Sequence, residues 1–248
     1  MSESVRARLS GGVTARGVSG APYSVIEATG LPETHLPQDL LTRLPESVAP
    51  APWRARCRVV SWLHPVDAAA RQAFPPQIRP ETIAFVAWAL VRYTDTPVGP
   101  YDEIAATLMT EDGIGHIPFI VVDSLPSIVG GRANWLLPKA LARFTWSDED
   151  LAVEVTPEAP ATPTWWIEAK VEPTGDATEL EMPNRVQQVS TSGDVGVFDG
   201  VMSGLLRPAA VTVLGKAEGP LASLLVPGRY DGTMLSDCEF NVGPLHPA

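Results

Sequence analysis

The hydrophobic residues of this chain fall mainly into short runs rich in β-branched and aromatic side chains, a composition typical of strands. The run over residues 165–171 alternates from Trp166 onward, so one face of that strand should contact water. The runs that predict strands lie at residues 57–63, 83–93, 103–109, 117–123, 151–156, 165–171, 185–190, 211–214 and 234–242. Strands at this spacing, punctuated by 25 Pro and 20 Gly residues, predict one antiparallel β barrel or sandwich.

Helical signals are few and short. Residues 66–73 follow Pro65, which occupies a plausible first-turn position of a helix. Residues 137–143 follow a Gly-Gly pair, and residues 221–225 follow a Gly-Pro pair. We therefore expect three short helices beside the strands, and a mainly β (α+β) fold.

The first 50 residues differ in composition from the rest. They are rich in Gly, Ser, Pro and Thr, with one amphipathic patch at Leu40, Leu41 and Leu44. We expect a partly extended N-terminal arm over residues 1–50 and a single β-barrel domain over residues 51–248. A chain of 248 residues, 45% hydrophobic and 19% charged, can bury a substantial core.

Charge and hydropathy restrict the classes of binding partner and the expected location of the protein. The 18 basic and 29 acidic residues give a net charge of −11, which disfavours nucleic acid and anionic membrane surfaces. The longest apolar run, residues 83–91, is too short for a bilayer of about 30 Å, and the N-terminal residues lack a secretory apolar segment. Cys57 and Cys238 form no disulfide framework or metal spacing, so we expect a cytoplasmic protein.

The sequence lacks the motifs of several common kinds of active site. The sequence has no phosphate-binding glycine loop and no G-x-S-x-G nucleophile motif. The histidines have no partner at helix spacing, which gives a zinc site little support, and His116 reads as a strand-end residue rather than a catalyst. The four histidines are His35, His64, His116 and His246. We expect no metal.

One lysine lies in unusually apolar surroundings. Lys139 follows Trp-Leu-Leu-Pro and precedes Ala-Leu. Burial disfavours the charged form of an amine, so its pKa falls and it becomes a nucleophile near neutral pH. The alternative is a lysine that caps a short helix and extends its amine into solvent.

The segment around this lysine resembles the lysine motif of the acetoacetate decarboxylase superfamily, which reads small-Gly-Arg-Glu and then aromatic-Pro-Lys-Lys-Leu. Residues 130–133 read Gly-Gly-Arg-Ala, and residues 137–141 read Leu-Pro-Lys-Ala-Leu. Further stretches resemble family segments in the same order, at residues 52–69, 98–103, 118–123 and 206–214. The resemblance covers roughly residues 50 to 245.

The resemblance implies a cone-shaped antiparallel β barrel with a few short flanking helices, an apolar cavity and assembly into a homo-oligomer. It implies that Lys139 forms a Schiff base with a small keto acid or ketone inside the cavity. Glu103 matches the acidic residue of the family's Gly-x-Tyr-x-Glu turn and would move protons to an enamine carbon. The alternative for Glu103 is a strand-start carboxylate on a wet turn.

The chain departs from the family motif in ways that bear on Lys139. Ala140 replaces the second lysine, Ala133 replaces the glutamate after the motif arginine, and residues 85–88 contain no acid. With no neighbouring ammonium, we expect burial alone to lower the pKa of Lys139.

The resemblance also implies that an arginine of the first strand binds the substrate carboxylate. Arg54, Arg56 and Arg58 compete for this role, because positions two residues apart share one face. The candidate substrate-binding residues are Arg54, Arg132, Trp88, Phe119 and Trp135.

These observations favour a Schiff-base-forming lyase that acts through Lys139, either a β-keto-acid decarboxylase or an aldolase/dehydratase. No organic cofactor is expected, since the iminium is itself the electron sink. The alternatives are a secondary-metabolism cyclase or isomerase of the same fold and a non-catalytic barrel that binds a small molecule.

Overall fold

Strands dominate the chain in a computed structural model that describes residues 23–66, 68–147, 151–158 and 164–248. The helices of this part are α1 (Gln38–Arg43), α2 (Leu125–Trp135) and 3-10 turns at Pro32–Thr34, Ala68–Ala73, Pro76–Ile78 and Gly219–Ser223. The strands are β1 (Trp53–His64), β2 (Phe85–Asp95), β3 (Tyr101–Met109), β4 (Ile114–Val122), β5 (Lys139–Ser147), β6 (Ala152–Pro157), β7 (Trp166–Pro173), β8 (Thr178–Val189), β9 (Val195–Lys216), β10 (Gly228–Val242) and β11 (His246–Pro247).

The strands close into a ring. They are hydrogen-bonded in the order β10-β1-β2-β3-β4-β5-β6-β7-β9, and β9 pairs again with β10. The mainly β class is confirmed, but the ring is less regular than the expected antiparallel barrel. The pairs β4–β5 and β4–β8 are parallel. Parallel neighbours need a crossover between them, and α2 supplies it between β4 and β5.

Alternation along the strands divides the buried side chains into two cores. The large core has side chains from β1 to β7 and β9, including the parallel-stacked rings of Trp62 and Trp88. The second core lies on the opposite side of β2 to β5, where α2 packs. On β3, Ile104 joins the large core, whereas Tyr101 joins the second core.

The helix expected at residues 137–143 is wrong. The helix of this region is α2, and β5 begins at Lys139. Ser124 caps the helix by accepting a hydrogen bond from the backbone N–H of Ser127, and the helix ends at Leu136 in a left-handed conformation, φ 57°. The Gly-Gly pair lies inside α2. These two helix positions are glycine because Trp53 and Lys139 approach the helix too closely for a larger side chain there.

The other helical predictions are met by 3-10 turns. Residues 66–73 contain the turn Ala68–Ala73, with residue 67 outside the described residues, and residues 221–225 overlap Gly219–Ser223.

The described part of the predicted arm packs against the ring. Leu40 and Leu44, on and after α1, are buried in the second core. The backbone N–H of Leu31 donates to the carbonyl of Pro118 on β4 at 2.9 Å. Residues 1–22 lie outside the described residues, so the division at residue 50 stays a prediction. No helix in the described ranges has the length and hydrophobicity needed to cross a membrane.

His116 on β4 is a buried neutral side chain. It is 1% exposed, its Nδ1 lies 3.2 Å from the Gln187 carbonyl oxygen, and its ring is 5.2 Å from that of Phe74. Burial lowers the pKa of His116 from 6.5 to about 4.

The buried imidazole predicts acid lability. Below pH 6.5 the unfolded chain binds a proton on His116 that the folded chain does not, so stability falls as pH drops from 6.5 to 4. The difference corresponds to about 3 kcal/mol. Urea unfolding at pH 7 and pH 4 should show a smaller acid loss in H116Q than in the wild type, whereas H35Q, at an exposed position, should match the wild type. Equal losses in the wild type and H116Q would contradict this assignment.

Candidate active site

Four polar side chains meet beneath α2. The ammonium Nζ of Lys139, at the start of β5, lies 2.6 Å from Oε2 of Glu103 on β3. It also donates to Oγ of Ser127 in the first turn of α2, at 3.0 Å, and to the hydroxyl of Tyr101, at 3.3 Å. We call these four residues the Lys139 cluster.

Tyrosines surround the carboxylate of this cluster. Oε1 of Glu103 accepts a hydrogen bond from the Tyr93 hydroxyl at 3.4 Å, and the rings of Tyr93 and Tyr101 lie 4.4 Å apart. Lys139 Nζ is 5.0 Å from the centre of the Tyr101 ring. Lys139 and Glu103 are only 4% and 7% exposed, so their ion pair is held away from bulk water.

Arg132 holds the backbone of Lys139 in place. Arg132, on α2, donates from Nε to the Lys139 carbonyl at 2.7 Å. Its other nitrogens donate to the carbonyls of Val25 and Thr34 in the N-terminal segment. Burial lowers the pKa of Arg132 to about 9. Arg132 therefore ties the start of β5 and the N-terminal segment to α2.

The pKa of Lys139 departs from the prediction. Burial alone lowers it, as expected, but the charge and hydrogen bond of Glu103, with those of Tyr101, outweigh burial and raise the pKa above its ordinary value. The predicted low pKa is therefore wrong, because β3 brings a carboxylate within hydrogen-bond distance of the amine. Lys139 rests as an ammonium ion paired with Glu103.

The motif region identified in the sequence carries a family match. The family model of acetoacetate decarboxylase matches residues 37–191, more than half of the chain. The chain belongs to this family. A comparison with curated proteins finds no match.

Solved structures of the family share the fold. Acetoacetate decarboxylase from Legionella pneumophila is 14% identical, with 81% of this chain and 88% of that chain covered and a TM-score of 0.56. An acetoacetate decarboxylase-like enzyme from Sphingomonas wittichii RW1 is 16% identical, with 81% and 94% covered and a TM-score of 0.55. The enduracididine biosynthesis enzyme MppR, complexed with pyruvate, is 16% identical, with 80% and 90% covered and a TM-score of 0.53.

The residues proposed from the sequence to bind substrate are not brought together. Trp88 and Phe119 lie in the large core, on the side of the sheet opposite the Lys139 cluster. Trp135 packs edge-on against Trp53, with ring centres 5.0 Å apart, in a third small cluster. Arg54 is exposed. Of the predicted site residues, the structure brings Lys139, Glu103 and the Arg132 guanidinium into one neighbourhood.

Sequence reasoning missed three side chains of this neighbourhood: Tyr93, Tyr101 and Ser127. A signal existed for Tyr101, because it is two residues from Glu103 and so shares its face of the strand. The crossover that places Ser127 over the strands has no such local signature.

Two surface cavities lie away from the cluster. One, of about 310 Å³, is lined by Glu154, Thr156, Trp166 and Glu168. The other, of about 320 Å³, lies between the N-terminal segment and residues 72–79, with His116 in its wall. Neither is lined by a member of the Lys139 cluster. Within the described ranges, no three His, Cys, Asp or Glu side chains form a group that could hold a metal ion.

Gly131 leaves the space that the lysine stem occupies. A Cβ on Gly131 would lie 2.5 Å from Cδ of Lys139, whereas a Cβ on Gly130 would lie 2.4 Å from the Trp53 ring. We expect G131A and G130A each to destabilise the fold by about 1–3 kcal/mol. Only G131A should also change the rate at which an amine-directed reagent labels Lys139, measured by peptide mass spectrometry on folded protein. Equal labelling in both variants would contradict this packing.

Proposed function

We propose that this chain is a Schiff-base-forming lyase that cleaves a carbon–carbon bond in a small keto acid or ketone, with Lys139 as the nucleophile. The observation that carries the proposal is the buried contact of 2.6 Å between Lys139 Nζ and the Glu103 carboxylate. In a member of the acetoacetate decarboxylase family, this contact joins a nucleophile to a base able to take its proton.

The first step concerns the proton on the amine. An ammonium cannot attack a carbonyl, so Glu103 must accept one proton from Lys139 when the substrate arrives. The neutral amine then adds to the carbonyl carbon, and a proton passes from nitrogen to the former carbonyl oxygen. That oxygen leaves as water after it takes up a second proton from solvent, and an iminium remains on Lys139 while Glu103 keeps the proton that it accepted. Ser127 and Tyr101 keep Nζ oriented through their hydroxyl groups.

The second step breaks the carbon–carbon bond. The iminium takes up the electron pair of that bond, which yields an enamine and releases either carbon dioxide or a carbonyl compound whose hydroxyl proton passes to solvent. The Glu103 carboxyl group then returns its proton to the enamine carbon, and water hydrolyses the resulting iminium. The iminium is the electron sink, so we propose no metal or organic cofactor.

The substrate class rests on the relatives. One of them was solved with pyruvate bound, which makes pyruvate and acetoacetate suitable first probes. Arg132 donates to backbone carbonyls and is not assigned the substrate carboxylate. A homo-oligomeric assembly, a cytoplasmic location and the lack of nucleic acid or membrane partners remain part of the proposal.

A second candidate function is a non-catalytic barrel that binds a small molecule. The raised pKa of Lys139 favours it, because a permanently paired ammonium serves as a structural ion pair. A cyclase or isomerase would share the iminium and differ in its products.

Covalent trapping separates these candidates. Pyruvate or acetoacetate plus borohydride should give a reduced adduct on the peptide that contains Lys139, detected by mass spectrometry. K139M should give no adduct, and K216M, at an exposed lysine, should behave as the wild type. The absence of any adduct on Lys139 with a panel of 2-oxo and 3-oxo acids would favour the binding protein.

The E103Q variant tests the proposed role of Glu103 as a base and proton donor. In E103Q the carboxylate that raises the Lys139 pKa is gone, so adduct formation should persist and its pH profile should move to lower pH. Turnover should fall about 100-fold or more, because the proton donor to carbon is lost. E168Q, at an exposed strand position, is the matched control. A folded E103Q whose adduct profile and turnover both match the wild type would refute the assignment.

A further inference from the structure

The two cysteines of the chain face each other across an antiparallel strand pair. Cys57 on β1 and Cys238 on β10 are direct Cα partners in the register of these strands. Both side chains belong to the second core, with exposures of 6% and 1%, and both are free thiols.

This placement satisfies the geometry of a disulfide. Directly opposed residues of an antiparallel pair have Cα atoms about 4.5 or 5.5 Å apart. Either separation falls within the range of about 4.4–6.8 Å that disulfides adopt. Both side chains pack into the same core, so they lie on the same side of the sheet.

The two thiols already interact. A hydrogen bond between them lowers the pKa of Cys238 and, with burial, raises that of Cys57. The thiolate is the reactive form of cysteine, so the lowered pKa favours Cys238 over Cys57 as the attacking group.

Irregular strand pairing surrounds this position. The register of β1 with β10 shifts between Cys57 and Val59, and that of β10 with β9 shifts between Ser236 and Glu239. Asp237, next to Cys238, has a φ of 47°. Breaks in a hydrogen-bond ladder favour local opening, which would admit a small oxidant.

We propose that Cys57 and Cys238 form a reversible intrachain disulfide site that a peroxide closes. The Cys238 thiolate attacks one peroxide oxygen, and the other leaves as hydroxide, which takes up a proton to become water. The sulfur is now a sulfenic acid. Cys57 loses its proton and attacks that sulfur, the S–S bond forms, and a second water leaves. The peroxide gains the two electrons that the two sulfurs lose.

The disulfide would lie beside the Lys139 cluster. Cys57 is the register partner of Tyr93 on β2, and the Tyr93 hydroxyl donates to Glu103. It would also cross-link β1, the first strand along the chain, to β10, its hydrogen-bonded neighbour and one of the last strands along the chain. The thiol site does not depend on whether Lys139 forms a Schiff base.

The test uses the folded chain treated with hydrogen peroxide, then denatured and alkylated. We expect a monomer whose mass is lower by two hydrogen atoms, with neither cysteine alkylated and a single cross-linked peptide pair. Dithiothreitol should restore both thiols. The oxidised chain should melt about 10 °C higher than the reduced chain.

C57S and C238S serve as matched variants, since each leaves one thiol and should show neither the mass change nor the rise in melting temperature. The peptide map of the oxidised wild type tests the proposal even if a variant fails to fold. Alkylation of both wild-type cysteines after peroxide, a disulfide-linked dimer, or a sulfinic acid on Cys238 with Cys57 free would each overturn the proposal.

Discussion

The buried ion pair between Lys139 and Glu103 is the interaction on which the site depends. Taking two charges out of water is costly, and removing one partner of such a pair costs about 3–5 kcal/mol, because the other charge is left uncompensated. The two residues lie on β5 and β3, with β4 between them, so the lysine stem must cross one strand to reach the carboxylate. The ring therefore has to hold all three strands in register for the charges to meet.

Helix α2 supports this pair in three ways. Ser127 accepts a hydrogen bond from the amine, Gly131 leaves room for the stem, and Arg132 holds the carbonyl of Lys139. The same arginine ties down the N-terminal segment through Val25 and Thr34. Because one short helix covers the amine and holds its backbone, burial and orientation of the lysine are set together. The raised pKa follows from that geometry, since a carboxylate close to a buried amine outweighs the burial that would neutralise it.

The two sides of the sheet have different chemistry. The large core is filled by stacked and edge-packed aromatic rings, which stabilise the ring of strands through burial. The buried histidines His64 and His116 contact the large core, whereas the side of the second core, which is smaller, contains the Lys139 cluster, Tyr93 and the thiol pair. In a medium of low polarity these groups interact strongly, and Tyr93 joins the thiol pair to the Lys139 cluster: it is the register partner of Cys57 and donates a hydrogen bond to Glu103.

The sequence by itself determined the strand-rich class and the family and singled out Lys139 and Glu103 as candidates, because strand composition and a short motif are local properties. It misassigned residues 137–143, since a Gly-Gly pair that ordinarily interrupts a helix lies inside α2 to admit Trp53 and Lys139. Tertiary structure alone decided which side of the sheet Trp88 and Phe119 occupy and where Arg54 lies. It also reversed the expected pKa of Lys139 and set Cys57 opposite Cys238. These properties depend on strand order and register between distant segments, which no local pattern encodes.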